Sequence, residues 1–157
     1  MSFVLNEAGE FSYTNGITCE DAPANITYNG NWTVGGNLVI GSGATNLFQI
    51  TTHGAVTQAS SITTAVTCNA TAGVITTVSS SLSAGSTTSF TVNNSVVAST
   101  SMIYVCLNGY SGTIGTNGFP NIFVNTIASG SFVIDITNTA GSNALSGTLT
   151  IAFLVIN

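Results

Sequence analysis

The sequence predicts an all-β protein: a β-sandwich head of jelly-roll or immunoglobulin-like type, preceded by a short β-repeat shaft. Three observations lead there. The composition is dominated by Ser, Thr, Asn, Gly, Val and Ala, which favour strands and turns and leave helices without their usual Leu, Glu, Lys and Arg. Short apolar or alternating segments recur between Gly-, Ser- and Asn-rich turns, the spacing of a sandwich. Two early pairs, Asn15-Gly16 and Asn29-Gly30, sit among alternating residues, and Asn-Gly is the strongest short hairpin signal.

Residues 1–26 read as an N-terminal assembly arm. It holds Glu7, Glu10, Glu20 and Asp21, four of the five carboxylates, and too few apolar residues for a core of its own. Phe3, Val4, Leu5, Phe11 and Tyr13 are its candidate assembly contacts, because such a segment gains order only by burying side chains like these against a partner. Its start has neither a basic region nor an apolar core of about 7–15 residues, so no secretory signal is read there. Residues 27–52 follow as a short shaft, in which Gly30-Asn31-Trp32-Thr33-Val34-Gly35 is repeated at once as Gly36-Asn37-Leu38-Val39-Ile40-Gly41. Each copy makes a short strand and a tight turn, and must stack on a neighbour to bury its apolar side chains.

The head spans residues 53–157, with strands expected at 65–68, 74–78, 88–92, 102–107, 122–127, 131–137 and 148–156. Phe132, Ile134 and Ile136 alternate with Val133, Asp135 and Thr137, the pattern of a strand with one buried face. The segments 102–107 and 149–156 are apolar on both faces, which puts them in the middle of the core or against another subunit. The longest irregular piece is the glycine-rich stretch 108–120.

Charge excludes several functions. The chain has no lysine or arginine and a formal net charge of −5, whereas an ordinary domain devotes about a quarter of its residues to charge. Without a basic patch it does not bind nucleic acid or anionic membrane electrostatically. No apolar run approaches the roughly 20 residues of a spanning helix, so membrane insertion is not expected. An almost uncharged body has little to keep a monomer soluble and no lysine to block edge-to-edge strand pairing, so the edges are expected to close by assembly.

Cys19, Cys68 and Cys106 form neither a metal-ligand spacing nor an even disulfide framework. Cys68 and Cys106, each in an apolar strand, read as small core residues, with a disulfide between them as the alternative. No catalytic constellation is visible and the chain is not read as an enzyme. A nucleophile needs a matched base within reach, and the single histidine, His53, precedes Gly54 with no acid nearby in sequence; it reads as a polar turn residue. Copies of His53 around a trimer axis would lack a second metal ligand, and Glu7, Glu10, Glu20 and Asp21 would need several more oxygens to hold Ca²⁺. No metal or cofactor is expected. The sequons at Asn25, Asn31, Asn69 and Asn93 are about as many as this composition supplies by chance. In the glycine-rich stretch, Tyr110 and Phe119 are candidate receptor or glycan contacts, since aromatic faces stack on sugars while Asn and Ser supply adaptable hydrogen bonds. The other reading is that both rings tuck back to close the end of the sandwich.

The head segments Val56-Thr57-Gln58-Ala59-Ser60-Ser61-Ile62-Thr63-Thr64-Ala65-Val66-Thr67-Cys68-Asn69, Gly73-Val74-Ile75-Thr76-Thr77, Ser89-Phe90-Thr91-Val92-Asn93-Asn94-Ser95, Ser129-Gly130-Ser131-Phe132-Val133-Ile134-Asp135-Ile136-Thr137-Asn138 and Leu149-Thr150-Ile151-Ala152-Phe153-Leu154-Val155-Ile156 together resemble the C-terminal domain of virion fibre proteins from bacteriophages and other large DNA viruses. The repeat at 30–41 is similar to the shaft repeats that precede such domains. The resemblance implies a homotrimeric β structure on a virus particle. The expected function is then that of a non-enzymatic fibre, spike or decoration protein at the virion surface, joined to other virion proteins through its arm and contributing to host attachment. Two other readings stand beside it: a subunit of a self-assembling microbial surface filament or adhesin, and a soluble glycan-binding module.

Overall fold

The chain divides into two compact units, Met1–Leu47 and Phe48–Asn157. The structure, a computed structural model, describes Ile50 and residues 53–157, all in the second unit. The arm with Phe3, Val4, Leu5, Phe11 and Tyr13, and the repeat at 30–41, lie outside the described residues.

Among the described residues there are ten strands and no helix: β1 (Gly54–Thr57), β2 (Val66–Thr67), β3 (Ala72–Thr76), β4 (Ser80–Leu82), β5 (Thr87–Asn93), β6 (Met102–Tyr110), β7 (Pro120–Ala128), β8 (Ser131–Asn138), β9 (Leu145–Gly147) and β10 (Leu149–Ile156). Two four-stranded sheets form, sheet A in the order β1-β3-β10-β6 and sheet B in the order β2-β5-β8-β7, while β4 and β9 pair as a separate ladder. The β1–β3 and β2–β5 pairs are parallel; every other pair is antiparallel. Successive strands mostly alternate between the sheets, and β7–β8 is the exception, a hairpin inside sheet B turned at Gly130, whose φ is 81°. Pairing is therefore largely non-local.

The two inner faces supply the core, as the alternation requires. On β10 the residues Leu149, Ile151, Phe153 and Val155 are buried, and the last three stand opposite Leu107, Val105 and Ile103 of β6. On β8 the buried Phe132, Ile134 and Ile136 face Val92, Phe90 and Thr88 of β5 and Ile127, Val124 and Ile122 of β7. Each such side chain contributes about 1.5–3 kcal/mol when fully buried. The sheets meet where Phe132 and Phe153 pack edge to face, centroids 5.6 Å apart and planes at 60°. Gly73 makes room for this pair: it lies opposite Phe153 in the ladder, and a Cβ there would fall 2.6 Å from Phe153 Cε1.

Several expectations are corrected. Three short strands, β1, β4 and β9, fall where no strand was expected, whereas the expected 148–156 strand is the single strand β10. The irregular stretch begins at residue 111 rather than 108, because β6 runs on to Tyr110. The 102–107 segment is not in the middle of the core; β6 is an edge strand, with Ile103, Val105 and Leu107 packed inward and Met102, Tyr104 and Cys106 exposed. Asp135, expected on the solvent side of β8, is only 6% exposed.

Both long edge strands carry a bulge, β6 at Asn108 against Thr150/Ile151 and β7 at Asn125 against Ile134/Val133. A bulge twists a strand and interrupts its ladder, which blunts an edge without any lysine. Strands β6 and β7 also approach each other, closing the sandwich along that side.

Candidate functional site

The segment 111–119, between β6 and β7, is held by hydrogen bonds rather than by apolar burial. The Tyr110 hydroxyl lies within hydrogen-bonding reach of two carbonyls, Asn117 O and, at 2.8 Å, Ser146 O. Asn117 Nδ2 donates to Ser146 Oγ at 3.0 Å, and the Ser146 amide donates to Asn117 O at 3.0 Å, so the loop is stapled onto β9. Gly118 follows with φ 89°, and a Cβ there would lie 2.6 Å from Leu145 Cα. Only glycine fits that turn and that close approach.

Asn138, at the end of β8 and fully buried, organises the neighbouring turns. Its Nδ2 donates to Leu82 O at 3.0 Å and Asn143 O at 2.9 Å, and its Oδ1 accepts from the amides of Phe119 at 3.0 Å and Ala140 at 3.2 Å. All four hydrogen-bonding positions of the amide are used, joining β4, the 111–119 loop and the 139–144 turn. Between these turns lies an open depression of about 510 Å³, lined by Gly115, Phe119 and residues 139–143.

The two aromatic candidates therefore separate. Tyr110 is half-buried, packs against the core and spends its hydroxyl on the loop; it positions the segment. Phe119 is 50% exposed and forms part of the depression's wall. With a ring face, the hydroxyl-bearing Thr139 and Ser142, and no charged group in its lining, the depression suits a neutral, hydroxyl-rich ligand better than an ionic one.

A second surface was not singled out from the sequence. The outward face of sheet A presents Met102, Tyr104 and Cys106 from β6 opposite Ile156, Leu154 and Ala152 of β10, and continues through Ala72 and Val74 of β3. Met102 is 57% exposed, Tyr104 59% and Ile156 41%. Between β6 and β10 this face is hollowed by a shallow, mostly apolar groove of about 320 Å³ along Tyr104, Cys106, Ala152 and Leu154. Cys106 is thus not a core residue as expected, because β6 turns Met102, Tyr104 and Cys106 outward. Cys68 is one: it is 5% exposed, and burial pushes its thiol pKa up. Both are free thiols, so the alternative of a bridge between them is not realised.

Three further sequence candidates are exposed polar residues. His53 is exposed just before β1. Asn69 is exposed, its Oδ1 accepting from the Ser95 amide at 2.9 Å, and Asn93 is exposed on β5. Among the described residues, no three of His, Cys, Asp and Glu come together as a metal site. Asp135 receives a 2.8 Å hydrogen bond at Oδ2 from Asn125 Nδ2, the residue that the β7 bulge redirects, while its Oδ1 has no partner. No family model, curated protein or solved structure matches this chain.

Proposed function

We propose that this chain is a non-enzymatic structural protein of a virus particle, a short homotrimeric fibre or spike whose jelly-roll-like head is anchored to other virion proteins by the arm at 1–26. The observation that carries this reading is the surface of the head. Asp135 is the only carboxylate among residues 53–157, it is buried, and there is no lysine or arginine to offset it. What remains outside is polar hydroxyl and amide, one histidine, and large exposed apolar side chains. A free monomer relies on surface charge and patch-free faces to stay apart from its copies; this head has neither. The resemblance of its strand segments to fibre heads supports the same conclusion.

Attachment falls to the depression beside Phe119, with Tyr110 as its positioning residue and a cell-surface glycan as the ligand class. The reading is tested by sedimenting virus particles from an infected-cell lysate and quantifying the chain by mass spectrometry. Co-sedimentation at a fixed ratio to the major particle protein, resistant to a salt wash, is expected. A chain that stays with the cell envelope or in the soluble fraction refutes it.

A further inference from the structure

We propose that the outward face of sheet A is the surface through which copies of this chain pack on one another, three faces turned inward around a common axis. The inference rests on the assembly reading above and names the surface it uses. The four strands of the face, about 4.8 Å apart with a rise of about 3.3 Å per residue, have 4, 5, 8 and 9 residues, which cover about 400 Å² in projection. Side chains standing off that face make its accessible area larger than this projection, against the ~800 Å² per partner of a standard contact.

The chemistry of the face selects a second copy as the occupant. It carries no lysine, arginine, aspartate or glutamate, and its polar groups at the centre are a phenol and a thiol, Tyr104 and Cys106. A charged partner would find nothing to pair with there, whereas another copy brings a face equally free of charge. Closed symmetry then buries the same patch in every subunit, which a nearly uncharged head needs if it is to avoid open-ended aggregation. The edges are the competing surfaces, and both long ones are bulged, at Asn108 and Asn125. Strand addition there is disfavoured, so the unpartnered face is left. Its groove between β6 and β10 provides a recess for a neighbour's side chain.

The test uses the full chain with Cys19→Ser, so that Cys106 is the accessible thiol of the head, and measures mass by light scattering and Cys106 alkylation by a maleimide. Tyr104→Asp and Ile156→Asp alter exposed positions of the face; Asn121→Asp, exposed on β7 of sheet B, is the control. A multimeric parent with protected Cys106 is expected. Each face variant should be a folded single chain by circular dichroism, with alkylation faster by at least about tenfold, since thiol reactivity follows access, and the control should remain multimeric. If both face variants stay multimeric, the copies meet elsewhere and this inference fails while the assembly reading survives. A monomeric parent overturns the assembly reading itself. A monomeric parent whose Cys106 is still protected shows in addition that the chain's own N-terminal residues cover the face.

Discussion

Replacing Asn138 by Asp is nearly isosteric and removes only the donor half of the amide that joins β4, the 111–119 loop and the 139–144 turn. The two acceptor contacts, to the Phe119 and Ala140 amides, can persist. The two donated bonds cannot: the carbonyls of Leu82 and Asn143, now 3.0 and 2.9 Å from Nδ2, would face lone pairs. An unsatisfied buried group costs about 1–3 kcal/mol. Asn143 is exposed and Leu82 half-buried, so about 1 and 2 kcal/mol are reasonable shares, and placing a carboxylate at a fully buried position adds further cost. Asn138→Asp should therefore lose about 3–4 kcal/mol at neutral pH, or on the order of 10 °C in Tm for a domain of this size. Burial holds the new carboxyl's pKa above its unfolded value, so the penalty is full above the folded pKa and shrinks as pH falls through it, where the protonated acid donates one bond. Urea unfolding at pH 7 and pH 4, with the parent at each pH, measures both numbers. A loss below about 1 kcal/mol at pH 7, or a loss that does not shrink in acid, would refute the assignment of Asn138 as the pin of this end.

Three further outcomes follow from the same contacts. Gly73→Ala should cost about 1–3 kcal/mol in the same assay by pushing Phe153 off Phe132, and Gly118→Ala should cost more, because its Cβ meets the Leu145 backbone at a positive φ; equal, negligible losses would contradict both. Phe119→Ala should abolish glycan-array or cell binding while leaving the melting temperature within about 2 °C, whereas Tyr110→Phe should lower stability by about 1 kcal/mol by freeing the loop; binding retained by Phe119→Ala removes the depression from consideration. Burial raises the Cys68 thiol pKa in the folded state, so this contribution is intact below the unfolded thiol's value and is lost as pH rises from about 8.5, at up to about 1.4 kcal/mol per pH unit; Cys68→Ala should flatten that alkaline decline, and an unchanged slope would contradict the cause.

What the sequence made legible was whatever depends on local alternation. Phe132, Ile134 and Ile136 announced the inner face of β8, and the apolar run of β10 announced a strand deep in its sheet. Strand β6 was ambiguous for a physical reason: Met102, Tyr104 and Cys106 are as apolar as Ile103, Val105 and Leu107, so only its long-range pairing to β10 decides which set is inside. The short strands β1, β4 and β9 were invisible because three or four residues carry no period, and each exists only by pairing with a distant partner. At the candidate site, Phe119 stood out as an aromatic in a glycine-rich segment. Asn138 did not, since a short polar residue at a strand end looks like a turn former until its four partners, drawn from three separate segments, are brought together.

The most direct test of the account is an electron-microscope image of purified virus particles labelled with an antibody to residues 53–157. The account predicts label on short projections from the particle surface, with threefold-symmetric heads in averaged images. Label confined to filaments on the host cell, or heads that average as single sandwiches with sheet A open to solvent, would contradict it.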